Sequence, residues 1–343
     1  MKFLKPFFFL LLISLFIQCE KNSDENDLNT DNIELESLDN LDNITANKGT
    51  GISVSDLNNL KYHQIVFKGS HNSYERNESI GEQLTRYVKS DGKTSENGNC
   101  MGVELDIWRH TSSFTPNGDI SDNFWTVNHT SGLFGDKLSK YLNELKQWHD
   151  GSPDHYPIMV KLDIKSTGGG FQNFHDQIDT YLKRYLGENL IFKPNTLFTN
   201  PNVDLATNVS QYGWPSINEM RGKYIFVLTG NESWGETYAG INLRDSRLCF
   251  TMKEMPADRE DVYPPNGGNK VFFNFHIYNS NKDKWTKSIP RFASKNYISR
   301  VYIANSQDNF DNSIGAKVSC ISTDKVNNHG WAIVTDNHKF DKK

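Results

Sequence analysis

Short apolar runs recur along the chain from Lys61 onward, and each ends in a cluster of glycine, asparagine, serine or charged residues. Runs of this length, bounded by such clusters, are typical of buried β-strands. Eight of them are IVFKGSHN, GVELDIW, WTVNH, PIMVKLDIK, KYIFVLTG, VFFNFHI, SRVYIAN and KVSCIST. RLCFTMK and WAIVTD also resemble strands, and either can be a decorating strand.

Amphipathic helical patterns lie between several of these runs. The clearest are residues 136–149, with Leu138, Leu142 and Leu145 on one face, and residues 171–186, with Phe174, Ile178, Tyr181 and Leu182. Strands that alternate with helices indicate a parallel sheet with crossover connections. Eight such strands over about 280 residues favour a closed barrel over an open sheet. We therefore predict an α/β fold, a (β/α)8 TIM-type barrel.

The N-terminus, residues 1–19, has a different character. Lys2 and Lys5 precede an apolar run over residues 7–17, and Cys19 follows this run. A basic start and a short apolar core indicate a secretory signal, which is too short to be a transmembrane span. The position of Cys19 resembles that of the acylated cysteine in a bacterial lipoprotein signal. We expect an exported protein, either anchored to a membrane at the cell surface through Cys19 or cleaved and secreted.

Residues 20–55 form a polar tract with nine acidic residues and two lysines. Such a segment cannot bury enough apolar surface to offset its ordering entropy, so we predict a disordered acidic tether. Residues 56–343 then form the catalytic barrel, with a net charge near zero. A neutral domain lacks the basic surface that nucleic acid requires, so we expect no nucleic-acid partner.

The cysteines beyond the N-terminal segment are Cys100, Cys249 and Cys320. Three cysteines allow at most one disulfide among them, and their spacing matches no zinc site. We interpret them as small buried residues.

Polar residues cluster at the ends of the predicted strands, where barrel enzymes carry their active sites. Glu104 and Asp106 are separated by one residue, so both side chains lie on one face of their strand. Taken singly, such residues are often structural, but their shared position at strand ends indicates a common site. The members are His71, Asn72, Glu104, Asp106, His129, Asp163 and Lys165.

This set of side chains is suited to metal-assisted phosphoryl transfer. Carboxylate and amide oxygens without thiolates favour a hard cation such as calcium or magnesium. The cation can lower the pKa of an attacking hydroxyl and neutralise charge in the transition state, while a histidine protonates the leaving oxygen.

Several motifs resemble the calcium-dependent phosphatidylinositol-specific phospholipases C, whose fold is the barrel of the phospholipase-C-like phosphodiesterases. GSHNSY resembles the family's histidine motif, GVELDIW its paired-acid strand and VNHT the strand end with its second histidine. MVKLDIKS resembles the strand with a further acidic ligand, and WPSINEMRGKYIFVL the Arg-Gly-Lys strand of the eukaryotic enzymes. SRVY resembles the segment that contacts inositol, and GAKVSCISTD the closing strand of bacterial relatives. The motifs occur in order over roughly 260 residues, within the span of one barrel.

The resemblance implies a role for each matching residue. Glu104 or Asp106 would accept the proton of the inositol 2-hydroxyl, and Lys165 would hold the phosphodiester oxygens. The other roles are His71 for transition-state stabilisation, His129 as general acid, Asn72, Glu104, Asp106 and Asp163 as Ca2+ ligands, and Arg300 and Tyr302 for inositol binding.

The resemblance implies cleavage of phosphatidylinositol to diacylglycerol and a cyclic inositol phosphate by a monomer acting at a membrane surface. Residues 227–230 (VLTG) replace lysines that read ring phosphates in the eukaryotic enzymes, which favours phosphatidylinositol itself or a glycosylated inositol lipid. Two alternatives are a glycerophosphodiester phosphodiesterase and a surface lipoprotein that binds inositol lipids or glycans without turnover.

Overall fold

The computed structural model describes residues 54–88, 94–110, 125–130, 135–166, 174–240, 243–335 and 339–343. The chain divides into two units, Met1–Ile44 and Thr45–Lys343, and every described residue belongs to the second. The predicted signal, Cys19 and nearly all of the predicted tether over residues 20–55 lie outside the described residues. Within the described part, no helix has both the length and the apolar character needed to cross a bilayer.

The strands of the described part follow the predicted apolar runs closely. In chain order they are β1 (Ile65–Ser70), β2 (Arg86–Val88), β3 (Thr94–Gly98), β4 (Gly102–Arg109), β5 (Trp125–Val127), β6 (Asp136–Lys137), β7 (Ile158–Ile164), β8 (Tyr224–Gly230), β9 (Phe250–Met255), β10 (Phe272–His276), β11 (Ile298–Tyr302), β12 (Cys320–Thr323) and β13 (Phe340–Lys342).

The central feature of the fold is a closed barrel of eight parallel strands, which confirms the predicted fold class. Going around the barrel, the order is β1, β4, β7, β8, β9, β10, β11 and β12, and β12 pairs with β1. The barrel closes where Gly69 of β1 lies opposite Gly102 of β4. A Cβ atom at Gly69 would lie 2.7 Å from Cys320 Sγ, so only glycine fits this close approach.

Three of the ten strand-like runs differ from the prediction. WTVNH forms β5, which pairs antiparallel with the end of β4 and lies outside the barrel. RLCFTMK contains β9, which is a barrel strand, and its weak apolar pattern reflects three residues from Lys253 onward that are not buried. WAIVTD contains no strand in its described residues. β4 extends beyond its pairing with β7, and this free end accommodates β5.

Helices cover the outside of the barrel between its strands. Both predicted helices are confirmed, and the seven apolar residues that define their stripes are all buried. The helices of the described part are α1 (Val54–Asn59), α2 (Ile80–Leu84), α3 (Leu138–Gly151), α4 (Phe174–Tyr185), α5 (Leu205–Tyr212), α6 (Glu232–Gly240), α7 (Lys282–Ala293) and α8 (Gln307–Gly315).

The barrel interior is polar at one end. On β7, Ile158, Val160 and Leu162 alternate with Lys161 and Asp163, so the charged pair shares the face that points inward. Lys161 is 2% exposed although lysine is almost never fully buried without a partner. The three cysteines Cys100, Cys249 and Cys320 are buried, as predicted, and they form no disulfide.

Candidate active site

The predicted acids meet at the C-terminal end of the barrel. The register of β4 and β7 places Asp106 beside Asp163 and Glu104 beside Lys161. One carboxylate oxygen of each of Glu104, Asp106 and Asp163 lies within 4.8 Å of the other two. All three carboxylates are largely withdrawn from solvent, which is costly for like charges unless cations compensate them.

Three basic side chains supply that compensation. Lys161 Nζ lies 2.5 Å from Glu104 Oε1 and 2.9 Å from Asp163 Oδ2. Arg300 forms an ion pair with the second oxygen of Glu104, Oε2. Lys165 Nζ lies 3.2 Å from an Asp106 oxygen and 3.4 Å from Asp163 Oδ2.

The two acids of β4 differ in their electrostatic surroundings. Burial would raise the pKa of Glu104, but Arg300 and Lys161 outweigh it and hold that pKa well below its usual range. Burial, together with the charges of Asp163 and Glu104, raises the pKa of Asp106. Glu104 is therefore firmly ionised, and Asp106 is the acid of this strand that takes up a proton more readily.

One oxygen of the acid cluster is available to a cation. Asp106 Oδ2 accepts a hydrogen bond from His129, whereas Asp106 Oδ1 is buried without a hydrogen-bond partner. A buried carboxylate oxygen that lacks a donor, beside two further carboxylates, fits an oxygen-liganded divalent ion. Calcium held by Asp106, Asp163 and Glu104 would supply charge neutralisation there.

Asn72 occupies the turn directly after β1. Its backbone adopts a left-handed conformation with a φ of 45°, which asparagine tolerates better than most residues. Asn72 is 8% exposed, and its amide donates a hydrogen bond of 3.3 Å to Glu75 Oε2. The next residue, Ser73, accepts a 2.8 Å hydrogen bond from the backbone N–H of Glu104, which ties this turn to β4.

Both predicted catalytic histidines are held by carboxylates. His71 Nδ1 lies 2.9 Å from Asp324 Oδ1, and His129 Nδ1 lies 2.8 Å from Asp106 Oδ2. A carboxylate only accepts, so Nδ1 carries a proton in each ring and Nε2 is the nitrogen available for chemistry. His129 is half exposed, as a residue that meets substrate must be.

The residues predicted to bind inositol lie on β11. Arg300 is 1% exposed and also donates to Asn274 Oδ1 at 2.8 Å, so its guanidinium lies inside the barrel beneath the acids. The Tyr302 ring is half-buried, 5.7 Å from His71 and 4.6 Å from His276 between ring centroids. Their contact with inositol stays a prediction.

Three residues of this site were missed from the sequence. Lys161 precedes Asp163 by two positions, and the spacing that paired Asp163 with Lys165 applies equally to it. Asp324 and His276 occupy the strand ends of β12 and β10, the position that signals a site residue in a barrel. Arg76 and Asn305 hold Asp324 in place, at 3.4 Å and 2.5 Å from its carboxylate oxygens.

Comparison with known proteins bears on the identity of this site. The family model described as phosphoinositide phospholipase C, Ca2+-dependent, matches residues 132–301. The match covers just under half of the chain, and over these residues the chain resembles this family. The phospholipase C family consists of enzymes that act on phosphoinositides, so the chain is a calcium-dependent phosphodiesterase and the resemblance seen in the motifs is confirmed.

Solved structures of similar proteins agree in fold. The calcium-dependent phosphoinositol-specific phospholipase C of Pseudomonas sp., a Gram-negative bacterium, aligns in its apo form with a TM-score of 0.60 and 20% identity, covering 84% of this chain and 96% of that chain. The calcium-dependent phosphatidylinositol-specific enzyme of Streptomyces antibioticus aligns with a TM-score of 0.55 and 17% identity, covering 77% and 94%. At this identity the likeness establishes the barrel. No curated protein matches the chain significantly.

Proposed function

We propose that this phospholipase C cleaves the glycerol–phosphate bond of phosphatidylinositol by attack of the inositol 2-hydroxyl. The products are diacylglycerol and a cyclic inositol phosphate. The observation that supports this best is the arrangement of two carboxylate-held histidines, one of them bonded to a member of the three-acid cluster. These carboxylates and histidines provide a proton acceptor, a proton donor and stabilisation of negative charge at one mouth of the barrel.

Asp106 is the proton acceptor that this arrangement favours over Glu104. Both oxygens of Glu104 accept from buried cations, Lys161 and Arg300, whereas Asp106 Oδ1 is unpartnered. The 2-hydroxyl proton passes to Asp106 as the hydroxyl oxygen attacks phosphorus. His129, protonated on Nε2, gives its proton to the departing glycerol oxygen.

His71 and Lys165 carry the charge that grows on the phosphoryl oxygens. Asp324 keeps the His71 ring oriented through a 2.9 Å contact. The Lys165 side chain is 27% exposed at the mouth, so it can reach a bound phosphodiester. Calcium, when bound, adds neutralisation of the same charge and makes the 2-hydroxyl more acidic.

The charges near the predicted inositol site support a lipid without ring phosphates. Thr229, in the segment that replaces the lysines of the eukaryotic enzymes, donates a 3.1 Å hydrogen bond to Glu254 Oε1. Asn274 donates to the same oxygen at 2.6 Å. A carboxylate in this place repels ring phosphates and accepts hydrogen bonds from hydroxyls, which fits phosphatidylinositol or a glycosylated inositol lipid.

A substrate panel tests this assignment. Phosphatidylinositol, its ring-phosphorylated forms, glycerophosphoinositol and glycerophosphocholine are each offered in mixed micelles with calcium. We expect fastest turnover of phosphatidylinositol and slower turnover of the phosphorylated lipids. Preference for glycerophosphocholine would instead identify a glycerophosphodiester phosphodiesterase, and binding without turnover would identify a lipid-binding protein.

We also propose that the enzyme is exported and works as a monomer at a membrane surface. The basic start, the apolar run over residues 7–17 and Cys19 support export with lipid attachment. The acidic residues 20–55 would then space the barrel from the anchor.

A further inference from the structure

Lys161 places an ammonium group inside the acid cluster that would hold calcium. Its Nζ lies 2.5 Å from Glu104 Oε1 and 2.9 Å from Asp163 Oδ2, and the side chain is 2% exposed. Two of the three carboxylates proposed as calcium ligands therefore already share a cation that belongs to the chain. The calcium-ligand roles proposed for Glu104, Asp106 and Asp163 leave the function of Lys161 unexplained.

The cluster is balanced in charge before any ion binds. Its three carboxylates, from Glu104, Asp106 and Asp163, are matched by Lys161, Lys165 and Arg300, and every carboxylate has at least one of these partners. A divalent ion that enters such a cluster meets positive charge as well as negative charge. Calcium affinity depends on the net charge of the ligand set, so the ion must compete with the lysines.

The three basic residues differ in how easily their charged groups can move away from a bound ion. Lys165 is 27% exposed, so its ammonium can move into solvent when the ion enters. Arg300 is 1% exposed and contacts Glu104, Asn274 and Ser322, which fixes it in place. Lys161 lies between two ligands and is buried, so its charge stays close to the bound ion.

We propose that Lys161 is a built-in counter-ion that competes with calcium for Glu104 and Asp163. In the absence of the ion it holds the two carboxylates together, and in its presence it weakens binding. The dissociation constant then falls in the weak class, on the order of 10⁻⁴–10⁻³ M, so the enzyme switches on only where calcium is abundant. This inference rests on the calcium site and not on the lipid that is cleaved.

Calcium binding without lipid tests the proposal directly. Isothermal titration calorimetry compares the full chain with K161M, which is one heavy atom shorter than lysine, keeps the unbranched shape of the side chain and removes its charge. K287M is the matched control, because Lys287 is exposed on α7 and pairs with Glu260 at 2.5 Å. We expect K161M to bind calcium at least tenfold more tightly than the wild type, a gain of about 1.4 kcal/mol, and K287M to bind with unchanged affinity.

Several results would overturn the proposal. They are equal or weaker binding by a folded K161M, a wild-type dissociation constant below about 10⁻⁵ M, or equal tightening in K287M. Because no lipid is present, a failure of the proposed substrate assignment would leave this result untouched.

Thermal unfolding covers the case in which K161M is unstable. If the ion can replace the ammonium, K161M is destabilised in chelator and recovers in excess calcium, with a larger rise in Tm than the wild type. A variant that stays unfolded in excess calcium shows that the ion cannot take the place of the lysine, and this rejects the proposal.

Discussion

His71 and His129 present the same nitrogen to the substrate although they follow different strands. Nδ1 of each ring donates to a carboxylate, Asp324 in one case and Asp106 in the other. The hydrogen bond fixes the ring orientation and the tautomer. Nε2 is therefore the nitrogen through which the proposed proton donation by His129 and the proposed charge stabilisation by His71 both act.

Removal of either imidazole is expected to abolish most of the activity and to leave the stability of the fold nearly unchanged. We predict that H71A and H129A each lower kcat on phosphatidylinositol by about 10²–10⁴-fold, the usual contribution of general acid–base groups. The wild-type Tm is retained, because both rings lie at the open end of the barrel. H63A, which changes a histidine just before β1 at the opposite end, is the control. Full turnover in H71A or H129A would disprove the assigned role of that histidine.

At the level of secondary-structure elements, buried ion pairs join strands β4, β7 and β11. Glu104 bridges Lys161 of β7 and Arg300 of β11, and all three residues are buried. Loss of one partner from a buried network leaves the others uncompensated, whereas loss of an exposed pair costs little.

We predict that E104Q lowers the free energy of unfolding by about 3–5 kcal/mol at pH 7. The folded pKa of Glu104 lies below its unfolded value. The stability from its pairs is therefore fully present above about pH 4.3, the unfolded pKa of a glutamate, and is lost as the pH falls toward the lower folded pKa.

Urea unfolding at neutral and acid pH checks this expectation. The difference in unfolding free energy between E104Q and the wild type should become smaller below about pH 4. E260Q removes a carboxylate from an exposed pair with Lys287 and should cost less than about 1 kcal/mol. If the difference in unfolding free energy between E104Q and the wild type is small at pH 7, or does not change with pH, the buried ion pairs of Glu104 do not stabilise the fold as proposed.

Closure of the barrel depends on the contact between β1 and β4. We predict that G69A lowers the free energy of unfolding by about 1–3 kcal/mol, because its Cβ would lie 2.7 Å from Cys320 Sγ. The double variant G69A/C320A should recover part of this loss. Gly235 in α6 has no atom within 4 Å of a Cβ, so G235A is the control and should not destabilise. Chemical denaturation measures all four proteins.

Sequence periodicity predicted seven of the eight barrel strands and the two clearest helices, because each buries a continuous apolar face. It failed at β9, where Lys253 and Glu254 interrupt the pattern, and at β5, which pairs with the free end of β4. The alternation of side chains along β4 and β7 correctly predicted that their acidic residues lie together. The burial of Arg300 beneath them was not predictable, because its partners Glu104 and Asn274 come from distant parts of the chain.

At the scale of the whole molecule, we propose that the N-terminal segment decides where the enzyme works. We predict that C19A shifts the protein from the detergent phase to the aqueous phase in a detergent partition and abolishes incorporation of labelled fatty acid. Turnover in mixed micelles should stay at the wild-type level, since the change lies outside the barrel. Unchanged partition and labelling would favour an ordinary cleaved signal and a secreted enzyme.

We propose that a calcium-binding acid cluster and two histidines cleave phosphatidylinositol within one barrel mouth. The decisive experiment is phosphorus NMR of phosphatidylinositol micelles, recorded with millimolar calcium and again with excess chelator. We expect a cyclic inositol phosphate signal that grows in calcium, stops growing on chelation and grows again when calcium is restored. Release of this product at an equal rate in chelator, or no release in calcium, would disprove the proposal.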